Sequence, residues 1–344
     1  MCNWCTKHGA GKKWYMNARN YSNELANEMR AKEYLTEQWT NFEQVYIRKI
    51  MGISSVDLGY KLKLPIIGKV LRWQAERMIH SEAKNRNPKR ADGHFGQVIP
   101  LEEAKIILGN LAAEPIIENY CMCRWMQRGV KERCCINFGV LSTVIEKLPR
   151  FIPENNTARI SRDEAMKRIE QHNRKGYVAS VWFQPVPYIN AICSCENPEC
   201  GGMRLRSDFG LHTVYKSEYV MQVAEEECDG CALCVAKCQY GAIRYIPSMR
   251  RVIIDPKKCW GCGVCRHMCR HEALKLVPRE EVAAGQLVCR LLDPIRGETV
   301  DVCSPTAGRV FARAARGLVR AGEVVVKVAG AAPLPGRHGA LLPN

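Results

Sequence analysis

Two cysteine runs constrain this chain more than any other feature. Cys228, Cys231, Cys234 and Cys238 fall in CDGCALCVAKC, and Cys259, Cys262, Cys265 and Cys269 fall in CWGCGVCRHMC. Both read C-x2-C-x2-C-x3-C. Cysteines packed this closely are poor disulfide partners for one another. Three of them two residues apart wrap a turning loop around a cube-shaped cluster and offer three iron ligands, leaving the fourth iron to a thiolate from elsewhere. Two such runs in tandem point to two [4Fe-4S] clusters. Zinc is the weaker reading, because it usually takes two C-x2-C pairs rather than a four-cysteine run.

This segment resembles the bacterial-type dicluster ferredoxins over about 55 residues. The resemblance implies a ferredoxin-like unit in which the cysteine after x3 ligates the other cluster. Cys228, Cys231 and Cys234 then pair with Cys269, and Cys259, Cys262 and Cys265 with Cys238. The family places a proline after the fourth cysteine of each run, where this chain has Gln239 and Arg270. Arg270 and His271 add positive charge near a cluster, which tends to raise its potential. Gly230, Gly261 and Gly263 permit close backbone approach to the sulfides. AIRYIP after the first run and ALKLVP after the second read as matching strands, the mark of an internal duplication.

Nine further cysteines lie upstream. CMCRWMQRGVKERCC carries Cys121, Cys123, Cys134 and Cys135, and CSCENPECGG carries Cys193, Cys195 and Cys200. The stretch 98–278 resembles larger dicluster 4Fe-4S proteins of anaerobes, in which a Cys-x-Cys segment, a helix and a second cysteine cluster precede the ferredoxin unit. Four of the seven thiolates suffice for a third cluster or a zinc. Cys121, Cys123, Cys193 and Cys195 form the expected core of that set, with Cys134, Cys135 and Cys200 as further candidates. Buried or redox-active thiols are the alternative. Near the N-terminus, Cys2, Cys5 and His8 form C-x2-C-x2-H, either half a metal site, a redox dithiol or an incidental terminus.

The expected fold class is α+β, in four parts. Residues 1–97 read as a basic helical region. There Leu25, Met29, Leu35, Trp39, Phe42, Tyr46 and Ile50 share one stripe at helical spacing, which predicts a long amphipathic helix packed on its own domain or docking a partner or membrane surface. Residues 98–219 read as a cysteine-rich α+β domain. Pro100 opens one helix, and a capping box from Ser161 to Glu164 opens another that closes at Gly176 before the strand YVASVWF. Such a helix and strand would suit a winged-helix-like layer. Residues 220–278 form the ferredoxin unit, and 279–344 a β-rich tail punctuated by glycine and proline. SPTAGRVF and RAGEVVVKVAG give that tail a resemblance to the C-terminal barrel-sandwich segment of the succinylglutamate desuccinylase/aspartoacylase family. No matching zinc-binding His–Glu segment precedes it, so that family's hydrolase activity is not implied. Cys289 and Cys303 read as small apolar residues.

The formal net charge is +16. In a chain carrying electrons this favours an acidic redox protein partner over nucleic acid or dispersed solubilising charge. The absence of an apolar leader, of an 18-residue apolar run and of disulfide-like spacing together favours a reducing cytoplasm with no membrane span, and the resemblance to proteins of anaerobes implies an anaerobic one. Homo- and hetero-oligomers both stay open. The expected function is one-electron transfer between redox partners. The alternative is a redox enzyme or sensor subunit whose third metal site is built from the cysteines at 121–135 and 193–200.

Overall fold

The computed structural model describes residues 11–40, 61, 64–74, 77, 96–147, 156–183, 185, 187–207, 210–211, 213–278, 281–282, 285, 287–292, 298–306, 308–313 and 326–330. It is an α+β protein organised on a seven-stranded sheet. The strands are β1 (Gly96–Val98), β2 (Ile116–Tyr120), β3 (Arg133–Phe138), β4 (Thr157–Arg159), β5 (Val178–Phe183), β6 (Ile189–Cys195) and β7 (Val214–Tyr215). Their order is β4-β2-β3-β6-β5-β1-β7. All neighbours are antiparallel except β1 and β7.

Alternation along the strands gives the sheet two different faces. Ile136, Ile192 and Val181 lie in one cross-strand row. They pack against Leu101 and Ala104 and against Ala165 and Ile169. These belong to two helices, Leu101–Ile106 and Arg162–Lys175. The second is held by the expected capping box of Ser161 and Glu164 and ends at Gly176 in the left-handed region. Helix and β5 therefore belong to one layer of a sheet-based domain, not to a winged helix.

The opposite face is covered in part by the N-terminal segment. Helices Asn23–Glu28 and Ala31–Thr40 place Leu25, Ala26, Ala31 and Leu35 against Ile117, Leu141, Val144 and Ile145. The predicted continuous helix is broken at Arg30, whose φ of 50° lies in the left-handed region. Phe42, Tyr46 and Ile50 lie outside the described residues. Residues 11–40 serve the sheet's own core instead of a separate one: Trp14, Tyr15 and Tyr21 join the first face and Leu25 to Leu35 the second. The Tyr15 hydroxyl donates to Glu103 Oε2 at 2.7 Å, and Tyr219 donates to Glu103 Oε1 at 2.8 Å. One buried carboxylate thus ties the N-terminus to the start of the cysteine-run unit.

That unit contains β8 (Tyr219–Val223), β9 (Ile243–Ile246), β10 (Arg251–Ile254) and β11 (Leu274–Pro278), paired as two antiparallel ribbons, β9 with β10 and β8 with β11. The strands AIRYIP and ALKLVP form as predicted. In the tail, β12 (Glu281–Val282), β13 (Leu287–Leu292), β14 (Thr299–Cys303), β15 (Gly308–Arg313) and β16 (Val326–Gly330) make two small open sheets and, among the described residues, no closed barrel. Cys303 is exposed there, contrary to its reading as a packed apolar residue.

Candidate iron–sulfur centres

The two runs fold alike. Gly230 and Gly261 hold matching left-handed positions, as do Ala232 and Gly263, and Gly241 and Glu272. A Cβ on Gly230 would press into the Arg250 carbonyl, and one on Gly261 into the Tyr219 carbonyl. These are loops that only close backbone approach can form. Each run then enters one helical turn, Leu233–Lys237 in the first and Val264–Met268 in the second. The Ala242 amide donates to Cys238 Sγ at 3.3 Å and the Ala273 amide to Cys269 Sγ at 3.2 Å. Met221 and Gly261 amides donate to Cys259 Sγ at 3.5 and 3.4 Å. Amide donors aimed at sulfur stabilise thiolates and tune the potential of what they bind.

Thiols of the two runs are close neighbours. Burial raises the Cys234 thiol to about 11, and the thiols of Cys231, Cys269 and Cys228 add to the shift. Burial raises Cys262 to about 12, with Cys259 and Cys238 contributing, and raises Cys265, with Cys262, Cys259, Cys238 and Cys234 contributing. The glycine cradles and the paired amide–sulfur bonds fit [4Fe-4S] cluster binding.

The seven upstream cysteines also come together, around one cavity of about 160 Å³. Six of them line it: Cys121, Cys123, Cys135, Cys193, Cys195 and Cys200. They form a closed ring of thiol contacts, Cys121 to Cys123, Cys200, Cys195, Cys193, Cys135 and back to Cys121. Cys200 and Cys195 sulfurs are 3.3 Å apart.

Strand geometry builds half of the ring. Cys193 and Cys195 are two residues apart on β6 and share a face, and Cys135 is directly opposite Cys193 on β3. Cys121 caps the short helix Met122–Arg128, whose first turn carries Cys123. Cys200 immediately precedes the helix Gly201–Ser207. The β2–β3 register shifts between Asn119 and Tyr120, leaving Cys134 as an extra residue. A bulge can turn consecutive side chains to the same side, which brings Cys134 against Cys121 and Cys135. The structure places Cys134 behind the ring instead of on the cavity, and Cys135 on it.

The carboxylates Glu196 and Glu199 also line the cavity, as does Arg124. The Arg124 side chain is 1% exposed, lies over the Tyr177 ring at 3.7 Å, and approaches Glu132 and Glu196 at 3.4 and 3.3 Å. Its Nη1 contacts Cys134 Sγ. Within the ring, hydrogen bonds from Cys193 and Cys200 lower the Cys195 thiol to about 5, and those from Cys123, Cys134 and Cys135 hold Cys121 well below the usual thiol range. A thiolate is the metal-ligating form of cysteine. Among the described residues, no group of three or more His, Cys, Asp or Glu side chains is arranged to hold a single metal ion. The cysteines of the two runs and of the ring, with Cys134 and Cys303, are unbridged. Cys2, Cys5 and His8 lie outside the described residues.

The two cysteine regions touch. Trp260 and Val264 of the second run share a buried apolar cluster with Cys195, Cys200 and Met203, against which Tyr240 and Cys262 also pack. Tyr240 and Trp260 stack at 4.5 Å. Gln239, standing where the ferredoxin pattern has proline, accepts from the Asn197 amide at 2.8 Å and donates to the Gly176 carbonyl at 2.6 Å. His267 Nε2 lies 2.7 Å from Asn173 Oδ1, and Arg266 pairs with Glu102 at 2.7 Å. Sequence reasoning missed this docking. Its one signal was the glutamine in place of proline.

Residues 227–273 match the family model of the 4Fe-4S dicluster domain. The chain is an iron–sulfur protein whose fold carries that domain beside a seven-stranded sheet. No curated protein and no solved structure matches the chain. No helix among the described residues is long and apolar enough to cross a membrane.

Proposed function

We propose that the chain is an electron-transfer protein carrying two [4Fe-4S] clusters, one held by Cys228, Cys231, Cys234 and Cys269, the other by Cys259, Cys262, Cys265 and Cys238. The clusters supply reversible one-electron storage; the protein supplies ligands, insulation and docking. The observation that carries this reading is the matched backbone of the two runs, each with a glycine cradle and an amide donated to its fourth cysteine. The first run faces solvent, with Cys231 exposed and Leu233 42% exposed, and is the entry point for a redox partner. Three of its four acidic neighbours are partnered, Glu225 with Arg251, Asp229 with His271 and Glu227 with Lys275. Exposed Arg244, Arg250 and Arg270 are left to meet an acidic protein.

A second reading concerns the thiol ring. Six thiols lining one cavity, with a buried guanidinium beside them, favour a third centre, and the chain is then a redox subunit that delivers electrons to it. A single zinc needs four ligands converging on one point. A cavity of about 160 Å³ lined by six thiols has room for more than one ion, which favours a third iron–sulfur cluster. Anaerobic iron and sulfide quantitation tests both readings. About eight of each per chain supports the dicluster alone, and about twelve supports the third centre. Zinc without iron contradicts the whole account.

A further inference from the structure

The thiol ring and the second cysteine run are separated by side chains of one packed cluster, not by solvent or by the sheet. Cys195 and Cys200 are 5% exposed, and they share that cluster with Trp260 at 4% and Val264 at 3%. Tyr240 packs against the cluster with Cys262. It lies between Cys238, two residues earlier, and Met203, whose sulfur its hydroxyl meets at 3.6 Å. Its stacked partner Trp260 stands between Cys259 and Cys262 in sequence. The electrostatic surroundings of the Tyr240 phenol include Cys262 and Cys238 of the run unit and Cys195 and Cys200 of the ring. The same aromatic residue therefore borders the ligand sets of both regions. The first run makes no comparable approach. Its loop faces solvent, and Cys228 and Cys234 pack with Met221, Ile243 and Leu274 in a cluster that Cys259 and Cys265 share, whereas Cys262 of the second run packs against the cluster of the ring.

We infer that Tyr240 and Trp260 are the internal electron bridge of the molecule, joining the Cys259/Cys262/Cys265/Cys238 centre to a metal centre on the thiol ring. The inference rests on the third-centre reading above. One electron from a protein donor enters at the first run and is passed to the second. The second centre is then oxidised by one electron as the ring centre is reduced by one, and no proton or bond is exchanged in that step. Gln239 fixes the bridge by clamping the start of this segment to Asn197 and Gly176. Trp260 is buried and Tyr240 half-buried against it, which limits water in the gap, and the direct packing keeps the gap short.

The test uses the full-length chain reconstituted anaerobically, as wild type, Tyr240→Leu, Tyr240→Phe and the double variant Cys193→Ser/Cys195→Ser. Less than one equivalent of dithionite is added, and freeze-quench EPR follows the appearance of the ring centre's signal, with iron counted in each sample. Tyr240→Phe keeps the ring and its stacking and is expected to match wild type. Tyr240→Leu is expected to keep the wild-type iron content while the ring signal appears several-fold more slowly. In the fully reduced protein, the double variant is expected to remove the magnetic broadening that the ring centre imposes on the second-run cluster. Unchanged transfer rates in Tyr240→Leu at unchanged iron content overturn the bridge while leaving the third centre standing. Equal iron in wild type and the double variant removes the third centre itself, and the bridge with it.

Discussion

The two cysteine runs share a motif and a backbone path, yet sit in opposite environments. In the first, Cys231 is exposed, Leu233 is 42% exposed, and the preceding Glu225–Glu227 turn is fully at the surface. In the second, Trp260 is 4% and Val264 3% exposed, while the third cysteine is buried in both runs, Cys234 at 7% and Cys265 at 8%. The difference is not in the ligands. It comes from what the intervening residues touch: Asp229 and Leu233 meet solvent, whereas their counterparts Trp260 and Val264 enter the core beside the thiol ring. A duplicated unit has thereby become directional, with one centre turned outward and one turned inward.

The largest test of that asymmetry is ligand removal on each side. Cys265→Ser is expected to lose the inner cluster and lower the melting temperature roughly 5 °C or more beyond Cys231→Ser, a shift that corresponds to about 2 kcal/mol in a domain of this size. Metal binding is coupled to folding, and the inner ligands sit in the packed interface. Calorimetry with iron analysis of both variants measures it; equal losses would break the comparison. Next come the glycine cradles. Gly261→Ala is expected to cost at least about 2 kcal/mol, from the left-handed backbone penalty plus displacement of the Tyr219 carbonyl. Gly230→Ala is expected to cost less, because the opposing Arg250 turn is exposed and can move. Denaturant unfolding of the holo-protein ranks the two.

Arg124→Met sharpens the account of the thiol ring. Loss of the buried cation beside the ring is expected to weaken metal binding there by about 10- to 100-fold while sparing the dicluster iron. A chelator titration resolves the two pools. Gln239→Pro restores the ferredoxin pattern and removes two bonds across the interface. It is expected to cost about 1 kcal/mol and to speed hydrogen exchange in Leu233–Lys237. The smallest effect lies in the outer loop. Ala232 has a φ of 59° where its repeat partner is Gly263, so Ala232→Gly is expected to stabilise the holo-protein by about 1 kcal/mol in denaturant unfolding.

Much of this molecule was legible from local pattern. The Ser161–Glu164 capping box and the matched strands after each run are short-range signals, and both form as read. The break at Arg30 was hidden because the apolar stripe from Leu25 to Trp39 is compatible with either one helix or two packed on the same face. The thiol ring was half visible. Cys193 and Cys195 on one strand face follow from alternation, but the place of Cys135 on the cavity and of Cys134 behind it depends on a register shift that no residue type announces. The interface was least legible, since Gln239 bonds to partners 42 and 63 residues away and Tyr240 to one 37 away, contacts that only tertiary structure creates.

EPR of the fully reduced, anaerobically prepared chain tests the central claim most directly. The account predicts two S = 1/2 spectra from the dicluster unit, broadened by mutual interaction, with one of them removed selectively by Cys231→Ser. A single isolated spectrum that Cys231→Ser leaves unchanged, or a protein with no iron signal at all, would contradict it.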